Sequence, residues 1–443
     1  MLSRSDSQES ERSDEEQTIG DAAKHLPPVD DKEIERTQRT FSMLIDRTCE
    51  EGPQAHGNIF ESTGVPEDWH SFLFRSLVPS NETVRQYLEH ELPRENLRPE
   101  SREGGVKYAF KVWDRRTNRL TFEQMPSYHK YGMRLLFSGP IQRKIMQKRA
   151  IKRFFNRETK RIGKAFDDPK SCKHIPSFVK MYNINLNELE KPNVADYRTF
   201  NQFFYRKLKP HARPIADRMN SAADCRLILF DNINDATRIW IKGHRFSLEH
   251  LFDDRNLAKE FEGGSIAIFR LAPVDYHRFH SPISGRIGSN KKSITGTYYT
   301  VNPIAIRENL DVLTRNQRTM ITIENETLGK VAFVAIGALL VGSVNFTVDT
   351  EQEIEKGDEL GYFAYGGSTV VVVFKAGMIQ WDDDVQHHAN NSMETLVQMG
   401  ERIGQVRSEE ERRTYLDNLP KSVPKYQTIS QFSPFFPTRD TLN

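Results

Sequence analysis

The chain reads as an α+β protein, with a predominantly β C-terminal domain preceded by a more helical N-terminal region. Three observations predict this. From Asp196 onward, short runs rich in Val, Ile and Phe alternate with Gly, Asn and Pro turns, a pattern of strands rather than helices. Before that point the regular segments have helical composition. The first residues are too polar and charged to bury a core of their own. With 443 residues, the chain supports two or three folded units.

Taken in order, residues 1–31 are rich in Ser, Glu, Asp and Arg and are expected to be disordered. Residues 32–195 form a mixed region, with helix expected over Glu33–Cys49, Asn81–Glu91 and Pro140–Ala165. Between Lys130 and Lys164, basic side chains far outnumber the single acid Glu158, and Ile141, Ile145, Ile151, Phe154 and Phe155 lie among them. Such a segment fits a membrane surface, a solvated helix packed on the next domain, or a nucleic-acid patch. Residues 196–443 form the β-rich domain. Strands are expected at Arg226–Phe230, Ile266–Phe269, Met320–Ile323, Val331–Val334, Gly361–Tyr365 and Val370–Phe374, and helices at Leu248–Phe252 and Met393–Arg402.

The net charge of +2 gives no global attraction to a polyanion. The longest apolar run, Val331–Val341, is far short of the ~20 residues a membrane-spanning helix needs. The start of the chain has neither a signal-peptide core nor a transit composition. Cys49, Cys172 and Cys225 show no metal spacing and are consistent with reduced thiols. A location in the cytoplasm, or peripheral on an intracellular membrane, is expected.

Gly366-Gly367-Ser368-Thr369 sits between two strand-like runs. The glycines permit backbone angles that side chains forbid, and they leave the Gly367 carbonyl open to close approach by the Ser368 hydroxyl. An isolated motif of this kind is more simply a hairpin turn. Two further blocks bear on it. Phe269–Pro282 carries His277 and His280, side chains suited to proton transfer near neutral pH. Ser221–Asp224 ends in a carboxylate just before a strand. Ser, His and Asp are the raw material of a nucleophile, base and orienter, though residue types alone do not specify a site.

Other motif readings are weaker. His277-x-x-His280 lacks a second ligand pair, so no metal is expected. His387-His388 reads as a solvated pair. Asp382-Asp383-Asp384 lacks the Gly and distal Glu of a calcium loop and reads as a solvated acidic turn. Gly342-Ser343 also pairs Gly with Ser. No phosphate-binding loop, dinucleotide fingerprint or nucleophile elbow is present.

Five blocks in order carry a resemblance: Phe200–Pro210, Lys242–Leu248, Pro273–His280, Val341-Gly342-Ser343 and Gly367-Ser368-Thr369. Together they closely resemble the phosphatidylserine decarboxylase family, proenzymes that cut themselves and carry a pyruvoyl group. The GGST form, with Lys356–Glu359 before it and Trp381–Asp384 after it, looks like the eukaryotic type II branch. The resemblance covers about Pro176 to Val406.

The resemblance implies that His280 activates Ser368, with Asp224 orienting and charge-balancing His280. Ser368 then attacks the Gly367 carbonyl and turns the amide into an ester. Elimination releases residues 1–367, and hydrolysis leaves a ketone at the head of residues 368–443. That ketone, the pyruvoyl group made from Ser368, replaces any separately bound cofactor and acts as an electron sink. His277 is the implied proton donor to the substrate carbon. Cleavage falls at Gly367-Ser368, leaving Gly342-Ser343 as wall or packing. Strands of the two fragments interleave, so they stay associated.

The implied reaction converts phosphatidylserine to phosphatidylethanolamine and CO2. Two alternatives stand beside it: a soluble decarboxylase of a free amino acid, aromatic ones included, and a non-catalytic lipid-binding scaffold. A lipid substrate favours peripheral membrane contact for the basic segment over nucleic acid. The resemblance also leaves room for a homo-oligomer. No calcium-binding lipid domain is recognisable before Pro126.

Overall fold

A computed structural model describes residues 110–123, 149–239, 246–296, 312–337, 343–364 and 368–418. The expected disorder of residues 1–31, the helices Glu33–Cys49 and Asn81–Glu91, and most of the basic segment before Arg149 lie outside the described residues. The third expected helix is described as Arg149–Asp167. Among the described residues, no helix is long and apolar enough to cross a membrane.

The strands in chain order begin with β1 (Phe110–Asp114), β2 (Arg119–Glu123), β3 (Met219–Asn220), β4 (Cys225–Phe230), β5 (Ser265–Leu271) and β6 (Arg278–His280). They continue with β7 (Gly285–Ile287), β8 (Lys292–Ile294), β9 (Arg318–Asn325), β10 (Gly329–Gly337), β11 (Ser343–Phe346) and β12 (Glu353–Ile354). The last are β13 (Glu359–Ala364), β14 (Ser368–Phe374), β15 (Ile379–Trp381), β16 (Glu394–Val397) and β17 (Arg402–Val406).

One large sheet runs β12-β7-β9-β10-β14-β5-β4-β16-β1-β2, with β8 also on β9. Two three-stranded sheets, β11-β13-β6 and β15-β17-β3, accompany it. The α+β, mostly β expectation therefore holds. β5 and β14 are apolar along nearly their whole length and every residue in them is buried. Continuous apolar runs of this kind belong to strands covered on both faces. β14 lies between β10 and β5, antiparallel to both.

Pairing across Ser368 is extensive. β14, β15, β16 and β17 all follow it, yet β14 pairs with β5 and β10, β16 with β4 and β1, and β17 with β3. The β1–β2 hairpin joins the large sheet through a parallel β1–β16 pairing. A buried bidentate ion pair adds to this: Arg270 on β5 donates from Nε to Glu394 Oε1 at 2.8 Å and from Nη2 to Oε2 at 2.6 Å.

The helix Leu248–Phe252 forms as expected, with Ser247 Oγ accepting the His250 N–H at 3.1 Å as an N-cap. Three expectations need correction. Met393–Arg402 is not a helix. Glu394–Val397 is a strand paired on both sides, and Gly400 turns the chain with φ +85°. Core placement of Glu394 against Arg270 overrode its helical propensity. Of His387-His388 only His387 is exposed as expected: His388 is buried, with Nδ1 3.0 Å from Thr395 Oγ1 and its ring 5.0 Å from Trp113. The acidic segment is solvated at Asp383 and Asp384, as expected, but Asp382 is half-buried, and Asp382 and Asp384 are both ion-paired. Arg115 meets Asp382 at 2.9 Å and Asp384 at 2.7 Å, and Arg402 meets Asp382 at 3.0 Å.

Candidate active site

Ser368 is the first residue of β14, aligned with Gly337 on one side and Leu271 on the other. Its side chain is completely buried, and Oγ makes no hydrogen bond among the described residues. Gly366 and Gly367 lie outside the described residues, as does Gly342. The strands flanking the glycines do not pair with each other. β13 belongs to the small sheet with β6 and β11, whereas β14 is central in the large one. The glycine link therefore connects two sheets and is not the turn of a hairpin.

β6 brings the histidines beside β13. The Phe363 N–H donates to the His277 carbonyl at 2.9 Å, and Glu359 is aligned with His280. The turn before them follows from sequence: Pro273 presets φ at the second position, and the Asp275 N–H closes onto the Ala272 carbonyl at 2.9 Å. The Asp275 carboxylate accepts the Ala272 N–H at 2.7 Å and pairs with the Arg226 guanidinium. Burial pushes the Asp275 carboxyl upward, against the pull of Arg226.

His277 is completely buried. Its Nδ1 lies 2.8 Å from the Asp275 carbonyl, and its ring sits 3.9 Å from that of Phe204. A carbonyl only accepts, so Nδ1 carries the proton.

His280 is tied at both nitrogens. Nδ1 donates to the Gly357 carbonyl at 2.8 Å, and Nε2 lies 3.2 Å from the Tyr276 hydroxyl, which donates to it. Burial lowers the His280 pKa below its ordinary value, while the Gly357 carbonyl and the charges of Glu359 and Asp224 oppose this. Gly357 itself has φ +91°, and a Cβ there would lie 2.7 Å from Ile215 Cδ1. Glycine is what allows its carbonyl to face the imidazole.

Asp224 is nearby but committed elsewhere. Arg213 donates to it from Nη2 at 2.7 Å and from Nε at 3.1 and 3.2 Å, and the Met399 N–H donates to Oδ1 at 2.9 Å. Arg213 also meets Glu188 at 2.8 Å, and these two acids hold its pKa well above the usual range despite burial. Among the described residues no hydrogen bond joins Asp224 to His280. The His280 N–H does donate to the Ala222 carbonyl at 2.8 Å, which fixes the Asp224 segment beside β6.

The structure thus places His277 and His280 on one short stretch, with Asp224 in the adjoining segment and Ser368 at the end of the link leaving β13. Sequence reasoning missed Tyr276 and Gly357 as partners of His280, and Arg213 as the partner of Asp224. Tyr276 and Gly357 stood inside strings that carried the resemblance; Arg213 gave no signal. The arrangement provides a buried hydroxyl and two buried imidazoles with fixed tautomers.

Comparison with known proteins bears on what this arrangement serves. The family model for phosphatidylserine decarboxylase matches residues 200–405. The chain is 41% identical over 360 residues to phosphatidylserine decarboxylase proenzyme 3 of Schizosaccharomyces pombe, covering 80% of this chain and 37% of that protein. It is 42% identical over 301 residues to proenzyme 2 of Oryza sativa subsp. japonica, covering 66% of this chain and 48% of that protein. The chain thus spans between about a third and a half of these eukaryotic relatives' length. A bacterial proenzyme from Clostridium perfringens is 38% identical over 297 residues, which cover 66% of this chain and 99% of that protein. Since a relative of this identity is matched over nearly its entire length, the chain belongs to the phosphatidylserine decarboxylase family.

Proposed function

We propose that the chain is a self-processing, pyruvoyl-dependent decarboxylase that converts phosphatidylserine to phosphatidylethanolamine and CO2. The observation that carries the reading is the Ser368 hydroxyl, fully buried and without a hydrogen-bond partner among the described residues, at the head of the central strand. An orphaned buried hydroxyl costs roughly 1–3 kcal/mol. A proenzyme nucleophile explains why such a cost is tolerated.

In the first reaction, Ser368 Oγ attacks the Gly367 carbonyl carbon while His280 Nε2 takes the hydroxyl proton. To do so, Nε2 gives up its bond from Tyr276, and the Gly357 carbonyl stabilises the imidazolium through Nδ1–H. Asp224 assists through its charge and holds Arg213 and the Met399 N–H in place. The Ser368 nitrogen becomes a free amine as the ester forms. Loss of the Ser368 Cα proton then expels the Gly367 carboxylate, freeing residues 1–367 from 368–443. Water converts the remaining enamine to a ketone with release of ammonia. The interleaved strands and the Arg270–Glu394 pair keep the pieces together.

The residues at the head of β14 fit a carbonyl group made there: the site is dry, and strand pairing on both sides fixes its position. That group supplies an electron sink for the pair left behind when CO2 departs. His277 delivers the proton to the substrate carbon, its ring held by the Asp275 carbonyl and by Phe204. The basic segment before Lys164 provides peripheral contact with an anionic membrane surface, each Lys or Arg adding about 1 kcal/mol.

The test is direct. Purified protein is incubated with phosphatidylserine vesicles and, separately, with free amino acids, and released CO2 is measured beside the mass of the C-terminal fragment. CO2 from vesicles, and a fragment beginning with a ketone at position 368, are expected. Release from free amino acids alone would replace the lipid substrate. An uncut chain in an active preparation would refute the pyruvoyl mechanism.

A further inference from the structure

Burying a guanidinium without a carboxylate partner is costly, commonly several kcal/mol. Arg206 forms no ion pair among the described residues, and the charges of Asp224 and Asp275 only partly offset its burial. It is only 4% exposed, and among the described residues its hydrogen bonds go to main-chain carbonyls alone. Nη2 donates to Val274 at 3.0 Å and to Asp275 at 3.4 Å, and Nη1 reaches Phe204 at 3.5 Å. The guanidinium carbon also lies 5.2 Å from the Phe203 ring centre.

These contacts converge on His277. The Asp275 carbonyl that Arg206 grips is the one that receives His277 Nδ1–H at 2.8 Å. Phe204, whose carbonyl faces Nη1, packs against the His277 ring at 3.9 Å with the planes tilted by 37°. We propose that Arg206 is a positioning residue for His277: its guanidinium fixes both the carbonyl that sets the tautomer and Phe204, the last residue of the helix Phe200–Phe204, which supports the ring. This deepens the decarboxylase reading, because it rests on His277 delivering the proton to the substrate carbon.

The electrostatic surroundings give the proposal a distinct signature. The charged and titratable groups around the turn are Asp275 paired with Arg226, Asp224 paired with Arg213, Glu359 paired with Arg278, and Tyr197, Tyr276 and His280. Each of these cations has a carboxylate in ion-pair contact; Arg206 has none, and it shares the through-space charge of Asp224 and Asp275 with Arg213 and Arg226. A nearby cation disfavours imidazolium, so removing it raises the pH at which His277 loses its proton.

The experiment compares wild type, Arg206→Met and Arg206→Lys. All three should cut themselves on denaturing gels. Arg206→Met should lose at least about tenfold in kcat with KM unchanged, and the alkaline limb of its pH profile should move up by about 1 unit. Arg206→Lys keeps the charge but not the fork, so the limb stays in place and kcat falls between the other two. The 15N signals of the His277 imidazole, assigned with His277→Gln, are read in the same proteins without substrate. They should show a protonated Nδ1 in wild type and a raised titration midpoint in Arg206→Met. Unchanged kcat and an unchanged midpoint overturn the proposal, and so does failure of both variants to cut. A midpoint raised as expected in Arg206→Met, together with wild type that releases no CO2 from phosphatidylserine vesicles, instead refutes the function reading alone.

Discussion

Arg270→Met should be among the most destabilising single substitutions in the large sheet. It leaves the Glu394 carboxylate, only 2% exposed, without the guanidinium that now binds both its oxygens at 2.8 and 2.6 Å. Two charge-assisted hydrogen bonds are lost, each contributing about 1.5–3 kcal/mol, and breaking one side of a buried pair typically costs 3–5 kcal/mol. A loss of about 4 kcal/mol is therefore expected. The double variant Arg270→Met/Glu394→Met removes both charges and should recover most of it, because apolar replacements of a buried pair are often neutral. Both are measured by urea unfolding in a Ser368→Ala background, where the chain stays in one piece and unfolding involves no fragment separation. A single variant within about 1 kcal/mol of the parent would sink the argument. So would a double variant as unstable as the single.

Three further outcomes are expected. Ser368→Ala should remain full length and inactive, whereas His277→Ala should cut normally and turn over at least about a hundredfold more slowly; loss of cutting in His277→Ala would show that the two histidines have exchanged roles. Because burial lowers the His280 pKa, its neutral, proton-accepting form persists into mild acid, so the cutting rate should stay flat down to the ordinary histidine value of about 6.5 and fall only below it. A rate already halved above that pH, followed as full-length chain on gels, contradicts the assignment. Gly357→Ala imposes φ +91° on a residue with a side chain and crowds Ile215, at a cost of about 1–3 kcal/mol. Displacing the carbonyl that holds His280 should slow cutting several-fold in a gel time course, and a wild-type rate would mean that carbonyl is dispensable.

Local patterning alone specified a good deal of this protein. Continuous apolar runs gave β5, β10 and β14, and the helix expected at Leu248–Phe252 formed. The ordered blocks around His277, His280 and Ser368 pointed to the family. Pairing partners lay beyond reach, because they depend on which segments meet in space. Nothing in Gly366-Gly367 distinguished a hairpin from a crossover between two sheets; only the separate pairing of β13 and β14 did. The reading of Met393–Arg402 as helix failed because a carboxylate inside a strand makes sense only once Arg270 stands opposite it. In the same way, the resemblance implied chemistry at Ser368, but nothing in the sequence indicated the hold on His280. Its anchors are a glycine carbonyl and a tyrosine, and main-chain atoms carry no sequence signature, so the fold alone decided that Asp224 would bind Arg213 instead.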